Sequence, residues 1–272
     1  MSVWLAASMA HGEIGPAMTG LSANANDATT AFSSPAGITR LDQSEIVVQT
    51  ILAYTESEFG VDTATVAGGD GKTDRSLNVI PGIFYVRPLN EKWWFGASVN
   101  VPTGIGFDYG KRWSGRYHSS ETQLAFLAGS AIAAYKLTDR LSLSAGPIMM
   151  YTDSKNTARV NNVVPNYPDG KIELEESGAD VGYTLGAMYE FSDSTRVAAS
   201  YRSELNPDLE GTPTIHRVDP VLREALAAVD LLGTEVDVDF TIPAIAVVGF
   251  YNEFSDHWSM TGDLVWLDMS EF

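Results

Sequence analysis

Apolar and polar residues alternate with a period of two over most of this chain, the signature of a strand with one apolar face. The first clear case is Glu45 to Tyr54, where Ile46, Val48, Thr50, Leu52 and Tyr54 share a face. Eight further strands are predicted: Ser76 to Arg87, Lys92 to Val101, Thr122 to Leu137, Arg140 to about Thr152, Ala179 to Phe191, Thr195 to Leu205, Glu235 to Phe254 and His257 to Met269. In the fourth, Leu124, Phe126, Ala128, Ile132 and Ala134 are in phase. In the seventh, parity sends Arg196 and Arg202 to the face opposite Val197, Ala199 and Tyr201. One helix is predicted over Asp219 to Leu232. Asp219 suits its N-cap, Pro220 suits its first position, and Leu222, Leu226 and Val229 lie along one stripe.

The connections follow a rule of their own. Short turns of one pattern recur at Tyr135 to Asp139, Tyr189 to Asp193 and Asn252 to Asp256, with a looser copy at Pro88 to Glu91. They alternate with long polar loops, one centred on Gly68 to Gly71 and another carrying Trp113-Ser114-Gly115-Arg116-Tyr117-His118. Transmembrane β-barrels have this asymmetry, with short turns on one side, long loops on the other and aromatic girdles around an apolar outer band. Trp93, Tyr135, Tyr189, Phe191, Phe254 and Trp258 stand near the short turns as such a girdle requires. A soluble β-sandwich also alternates, but it needs no such asymmetry and rarely uses strands of ten or more residues. The fold class expected is therefore all-β, a transmembrane antiparallel β-barrel.

Composition narrows the function. The 272 residues contain no cysteine, which excludes thiolate chemistry and disulfides. A net charge of -18, from 35 acidic and 17 basic residues, argues against a nucleic-acid partner. No apolar run approaches the ~20 residues of a spanning helix, so any membrane crossing must use strands. The four histidines, His11, His118, His216 and His257, are scattered without metal-ligand spacing, and no nucleophile motif or phosphate loop is present. Neither an enzyme nor a bound metal or cofactor is expected. Acidic loop residues such as Asp62, Asp70, Asp74, Asp169, Glu175, Glu176 and Asp208 could bind divalent cations among lipopolysaccharide phosphates, although a solvated face explains them more simply.

The segment before the first strand differs from the rest. Residues 11–43 have neither strand nor helix periodicity and are rich in small residues, among them Gly12, Gly15, Gly20, Ala23 and Ala28. Bulk this small suits tight contact inside a barrel, so the segment is expected to be its plug, with residues 44–272 as the barrel. Ahead of it, Val3 to Ala10 reads as the end of a signal peptide, with Ser8 and Ala10 at the small-residue cleavage positions, or else as a frayed apolar terminus.

These residues carry a family resemblance. The stretches Gly20 to Ala28, including Asp27, and Ser34-Pro35-Ala36-Gly37-Ile38-Thr39-Arg40 resemble the hatch of the FadL-type outer-membrane transporters of long-chain fatty acids and hydrocarbons. Ser34 stands where that family has Asn in its Asn-Pro-Ala element. Ser200 to Glu204 and Trp258 to Phe272 are similar to family strands. The resemblance implies a Gram-negative outer-membrane location, a barrel of which about nine of an expected fourteen strands are present, and a chain that stops at Phe272 short of closure.

It also implies capture of a fatty acid or hydrocarbon in an apolar groove among the outer loops, rearrangement of the plug and lateral exit at a kinked third strand. Leu222, Leu226 and Val229 are groove candidates, with packing against neighbouring loops as an equal alternative. Pro102, Gly104 and Gly106 mark the lateral opening or an ordinary loop entry, and Lys155 and Arg159 could hold a carboxylate. Arg202 beside Glu204 reads instead as a structural pair. A monomer in contact with outer-membrane lipid and lipopolysaccharide is expected. The alternatives are a general diffusion porin or a structural outer-membrane barrel.

Overall fold

The computed structural model describes residues 22–60, 62, 66–73, 76–228 and 232–268. Nine long strands form one antiparallel sheet: β1 Glu45–Thr55, β2 Ser76–Pro88, β3 Trp93–Asn100, β4 Glu121–Lys136, β5 Leu141–Val160, β6 Gly170–Ser192, β7 Thr195–Arg202, β8 Ile245–Ser255 and β9 Trp258–Leu267. Each is paired with its sequence neighbour, in the order β1 to β9. Among the described residues no ladder joins β1 to β9. The meander follows from its turns: β2–β3, β4–β5, β6–β7 and β8–β9 are joined tightly, and long loops make the other connections.

The sheet curls into part of a barrel, and its two faces differ as the period of two requires. Ile46, Val48, Leu52, Leu77, Val79, Val99, Val181 and Leu264 are exposed on the convex face. Aromatic pairs sit near the short turns of that face, Trp93 with Tyr135 at 4.8 Å and Tyr189 with Phe191 at 4.9 Å. The concave face is mixed. It carries Ser98, Ser142, Ser144, Thr184 and Arg196, together with a buried apolar cluster that includes Phe84, Val86, Trp94, Phe126, Ile132 and Ile148.

Three readings of the sequence change here. The in-phase residues of β4, Phe126, Ala128, Ile132 and Ala134, are buried on the concave side, and the convex side of this strand carries Leu127 among small residues, Ala125, Ala131 and Ala133. The stretch from Glu235 to Phe254 is two strands, because Pro243, which cannot donate to a ladder, falls between Val236–Asp239 and β8. The first of these pairs with Asp208–Gly211 instead. Finally, β5 and β6 run on to 20 and 23 residues. A membrane-spanning strand needs only ~9–11 residues, so both strands are about twice the length that a crossing would use. Their far ends alternate polar residues on both faces and therefore read as loop.

Residues 22–41 lie inside the curl. A short helix α1, Thr30–Ser33, is followed by a 3₁₀ turn, Pro35–Arg40. Asp27 Oδ1 accepts from the backbone N–H of Thr29 at 2.9 Å and starts the helical turn. Pro35 opens the 3₁₀ turn, where its missing N–H is not needed. That one turn touches β3, β4, β5, β6 and β7. Five consecutive strands can be reached from six residues only on the concave side of a strongly curved sheet.

Candidate functional site

The interface between residues 22–41 and the wall is built from close backbone approach and a few polar ties. Ala23, Ala28, Ala31, Ser34, Pro35, Ala36 and Ile38 are buried. The wall makes room with glycine. A Cβ on Gly249 of β8 would stand 2.6 Å from Ser22 Cβ and 2.9 Å from the Ala23 nitrogen. One on Gly186 of β6 would stand 3.1 Å from the Ala36 nitrogen. Small residues in the segment thus face missing side chains in the wall.

The polar ties are specific. Arg196 of β7 donates from Nε to the Ala23 carbonyl at 2.6 Å and from Nη2 to the Asn24 carbonyl, and its guanidinium lies 3.7 Å above the Tyr251 ring of β8. Arg40 pairs with Glu190 of β6. Thr39 Oγ1 donates to Ser142 Oγ of β5 at 2.7 Å, and Trp94 Nε1 of β3 donates to the Leu41 carbonyl at 2.9 Å. Of these groups, parity in the sequence placed only Arg196 in the lumen. The others have no local signal, since each contact joins residues more than fifty positions apart.

The proposed pair of Arg202 with Glu204 does not form. Glu204 accepts from Asn206 Nδ2 at 2.9 Å. Arg202 lies over the Phe32 ring at 4.3 Å, and its Nε is buried without a partner.

The other candidate residues are dispersed. Ser34, Pro35, Ala36 and Asp27 lie in the segment just described, while Gly20 falls outside the described residues. Pro102 lies between β3 and a short strand, Gly104–Asp108, that holds Gly104 and Gly106. This strand pairs with the outer half of β4, and the register moves by one residue, from Asn100 opposite Ala128 to Gly104 opposite Ala125. Among the described residues it makes no ladder with β2, whose Ser76 to Ile80 pairs only with β1; the last bond from this side to β2 is Val101 N–H to the Pro81 carbonyl at 3.2 Å. The wall is therefore discontinuous above Asn100.

Helix α2, Pro220–Ala228, is capped by Asp219, whose Oδ1 accepts from the N–H groups of Val221 and Leu222 at 2.9 and 3.0 Å. Its Oδ2 accepts from Val163 at 2.8 Å and so fixes the helix to the β5–β6 loop. Burial alone would raise this carboxyl's pKa, but the backbone donors outweigh it and hold it below the usual range. Leu222 and Leu226 are half-buried on one side of α2; Val229 lies outside the described residues.

Lys155 is already paired, with Glu173 at 3.0 Å and Glu175 at 3.5 Å. Arg159 stands on the same outer end of β5, its Nε buried and unpartnered. The outer loops also hold a group that the sequence showed only as a polar loop. Trp113 packs on Tyr109 and Phe59, and Arg116 binds Asp169 at 2.9 Å, as does the Tyr117 hydroxyl. Among the described residues no three His, Asp or Glu side chains converge on a metal position.

The wall, the enclosed segment and the loop asymmetry agree with comparisons to known proteins. A family described as outer membrane protein transport protein (OMPP1/FadL/TodX) matches residues 3–272. The chain belongs to this family. Its FadL-type wall shares its architecture with a Pseudomonas aeruginosa FadL homologue, with a TM-score of 0.77 at 20% identity over 96% of this chain and 71% of that one. It is also similar to the Pseudomonas putida toluene transporter TodX, with a TM-score of 0.64 at 19% identity over 87% of this chain and 64% of that one. Among curated relatives, the long-chain fatty acid transport protein of Escherichia coli O6:H1 is 21% identical over 95% of this chain and 64% of its own length. Outer membrane protein P1 of Haemophilus influenzae is 22% identical over 70% and 49%. The chain thus spans about half to two thirds of the curated relatives' length. It is an outer-membrane β-barrel protein.

Proposed function

We propose that this protein carries hydrophobic compounds, such as long-chain fatty acids or hydrocarbons, across the Gram-negative outer membrane, with residues 11–43 as the plug of its barrel. The observation that carries this reading is the plug-wall contact. Small residues of the segment meet Gly186 and Gly249, and its ties to Arg196, Glu190, Ser142 and Trp94 are few enough to be released together. A path opened by such a release is lined by the concave apolar cluster, which holds Phe84, Phe126, Ile148 and Met150.

Two further features fit passage of an apolar solute. The exposed Phe59 and Phe107, with Tyr109 and Trp113, and the half-buried Leu222 and Leu226 give the outer loops apolar surface for first contact. The discontinuity at Pro102, Gly104 and Gly106 gives a route from the lumen into the membrane, which an apolar solute prefers to water. Lys155, neutralised by two glutamates, is a poor carboxylate holder. The protein works as a monomer in contact with lipid and lipopolysaccharide, without catalysis.

An open diffusion porin is the rival reading, and a segment buried against five wall strands speaks against it. The test is binding of a fluorescent long-chain fatty acid or a small hydrocarbon to the full-length protein in detergent. Saturable binding of either is expected. If neither binds while sugars permeate liposomes freely, the porin reading replaces this one.

A further inference from the structure

The long connections β1–β2, β3–β4, β5–β6 and β7–β8 leave the sheet at one end, because the short turns close the other. A meander by itself leaves such loops independent. Here a file of hydrogen bonds crosses all four. In the β1–β2 loop, the Gly69 carbonyl accepts from the N–H of Ser114 at 3.0 Å and from its hydroxyl at 3.1 Å, and the Ala67 carbonyl accepts from Arg116 Nη1 at 2.6 Å. Ser114 and Arg116 belong to the β3–β4 loop. Arg116 Nε in turn donates to Asp169 Oδ2 at 2.9 Å, and the Tyr117 hydroxyl donates to Asp169 Oδ1 at 2.9 Å, which reaches the β5–β6 loop.

The file continues through that loop. Asn162 Nδ2 donates to the carbonyl of Pro168, the neighbour of Asp169, at 2.7 Å, and to the Arg217 carbonyl at 3.0 Å. Asn162 Oδ1 accepts from the Asp219 N–H at 2.8 Å. Asp219 accepts from the Val163 N–H and caps α2, so the file ends in the β7–β8 loop. Arg116 is the joint at which three of the loops meet. Its side chain is only 12% exposed, and its donors are divided among Asp169, Ala67, Trp113 and Tyr117. A planar guanidinium can serve several acceptors at once, which an ammonium on a flexible stem does less well. A single exposed ion pair would contribute little. These ties are in series, so one loop cannot swing away without breaking the tie to the next.

We propose that the four outer loops form one jointed lid over the lumen, latched by Arg116 and Asp169, and that release of this latch opens the mouth. The aromatic group of Phe59, Tyr109 and Trp113 rides on one side of the latch, and Leu222 and Leu226 of α2 ride on the other. Opening therefore parts two apolar surfaces and clears a way between them. The effect on a solute rests on the transport reading; the mechanical unity of the loops does not.

The experiment compares the full-length wild type in detergent with Arg116→Met and Asp169→Asn. Amide exchange is read at residues 217–222, which share no hydrogen bond with either substituted side chain. Exchange there is expected to rise about tenfold in Arg116→Met, the value of a hydrogen bond from a charged group, and by less in Asp169→Asn, with the inner half of β5 unchanged. A rise confined to the direct neighbours, residues 66–73 and 113–120, would mean that the ties act locally, and would overturn the lid. Stopped-flow binding of parinaric acid reads the gate. Association and dissociation should both quicken by the same factor in Arg116→Met, leaving Kd unchanged. Unaltered rates overturn the gate, and so does a changed Kd, which would make Arg116 part of the binding surface. Wild type that does not bind parinaric acid or a small hydrocarbon removes the transport reading and the gate with it, while the exchange result still decides whether the loops are one lid.

Discussion

Arg196 on β7 donates a hydrogen bond of 2.6 Å to the carbonyl of Ala23, across 173 positions of sequence. The same guanidinium covers the ring of Tyr251. One buried side chain therefore ties the N-terminal segment to two neighbouring wall strands.

Removing that tie should loosen the segment and leave the wall intact. A hydrogen bond from a charged group contributes roughly 1.5–3 kcal/mol. Arg196→Ala is therefore expected to raise amide exchange in residues 22–41 by about ten- to a hundredfold. Exchange in β5 and β6 should not change. Arg40→Ala, which frees Glu190, should act in the same direction. Uniform loosening of segment and wall alike would mean that Arg196 supports the sheet rather than the plug.

The glycines on the concave face permit a steric test. Gly249→Val places a Cβ within 2.6–2.9 Å of Ser22 and Ala23. It would also stand 2.7 Å from Asp263 Oδ1, and while that carboxylate can swing away, the Ala23 backbone cannot give without shifting the segment. The expected outcome is higher conductance in planar bilayers, with the barrel still heat-modifiable on gels. Gly262→Ala in β9, where a Cβ meets open space, is the matched control and should conduct like wild type.

The outer ends of β5 and β6 should respond to acid. Hydrogen bonds from Lys171 and Lys155 pull the Glu173 carboxyl down to about 2, and it lies at the outer-loop end of β6. A depressed carboxylate pKa stabilises the folded form above the unfolded value near 4.3, and the effect is lost as pH falls toward the folded value. Protection factors at the tips of β5 and β6, which correct for the intrinsic slowing of exchange in acid, should therefore fall as the pH drops from about 4 to 2. Glu173→Gln should flatten this response. Tips equally protected at both ends of the range would show that the ion network contributes nothing.

What the sequence revealed follows from the range of each signal. The nine wall strands were legible because alternation and turn residues are local, and the exposed face of β1 is the one that alternation picks out, Ile46, Val48, Thr50, Leu52 and Tyr54. The face of β4 was misread because its larger apolar residues serve the enclosed segment rather than lipid, and alternation alone does not say which side is inside. The outer ends of β5 and β6 were missed because they carry polar residues on both faces. The Arg40–Glu190 and Trp94–Leu41 contacts were invisible, since nothing near either residue signals a partner so far along the chain. Arg202 was seen to face inward, but its partner was taken to be the adjacent Glu204, the nearest charge in sequence rather than in space.

The most direct test of the account is the single-channel conductance of the full-length protein with residues 11–40 deleted. If this segment seals the lumen, the deletion should give large, stable openings to small polar solutes where the intact protein gives few or none. Conductance unchanged by the deletion, in a barrel that still assembles in the membrane, would contradict the claim that residues 11–43 are the plug.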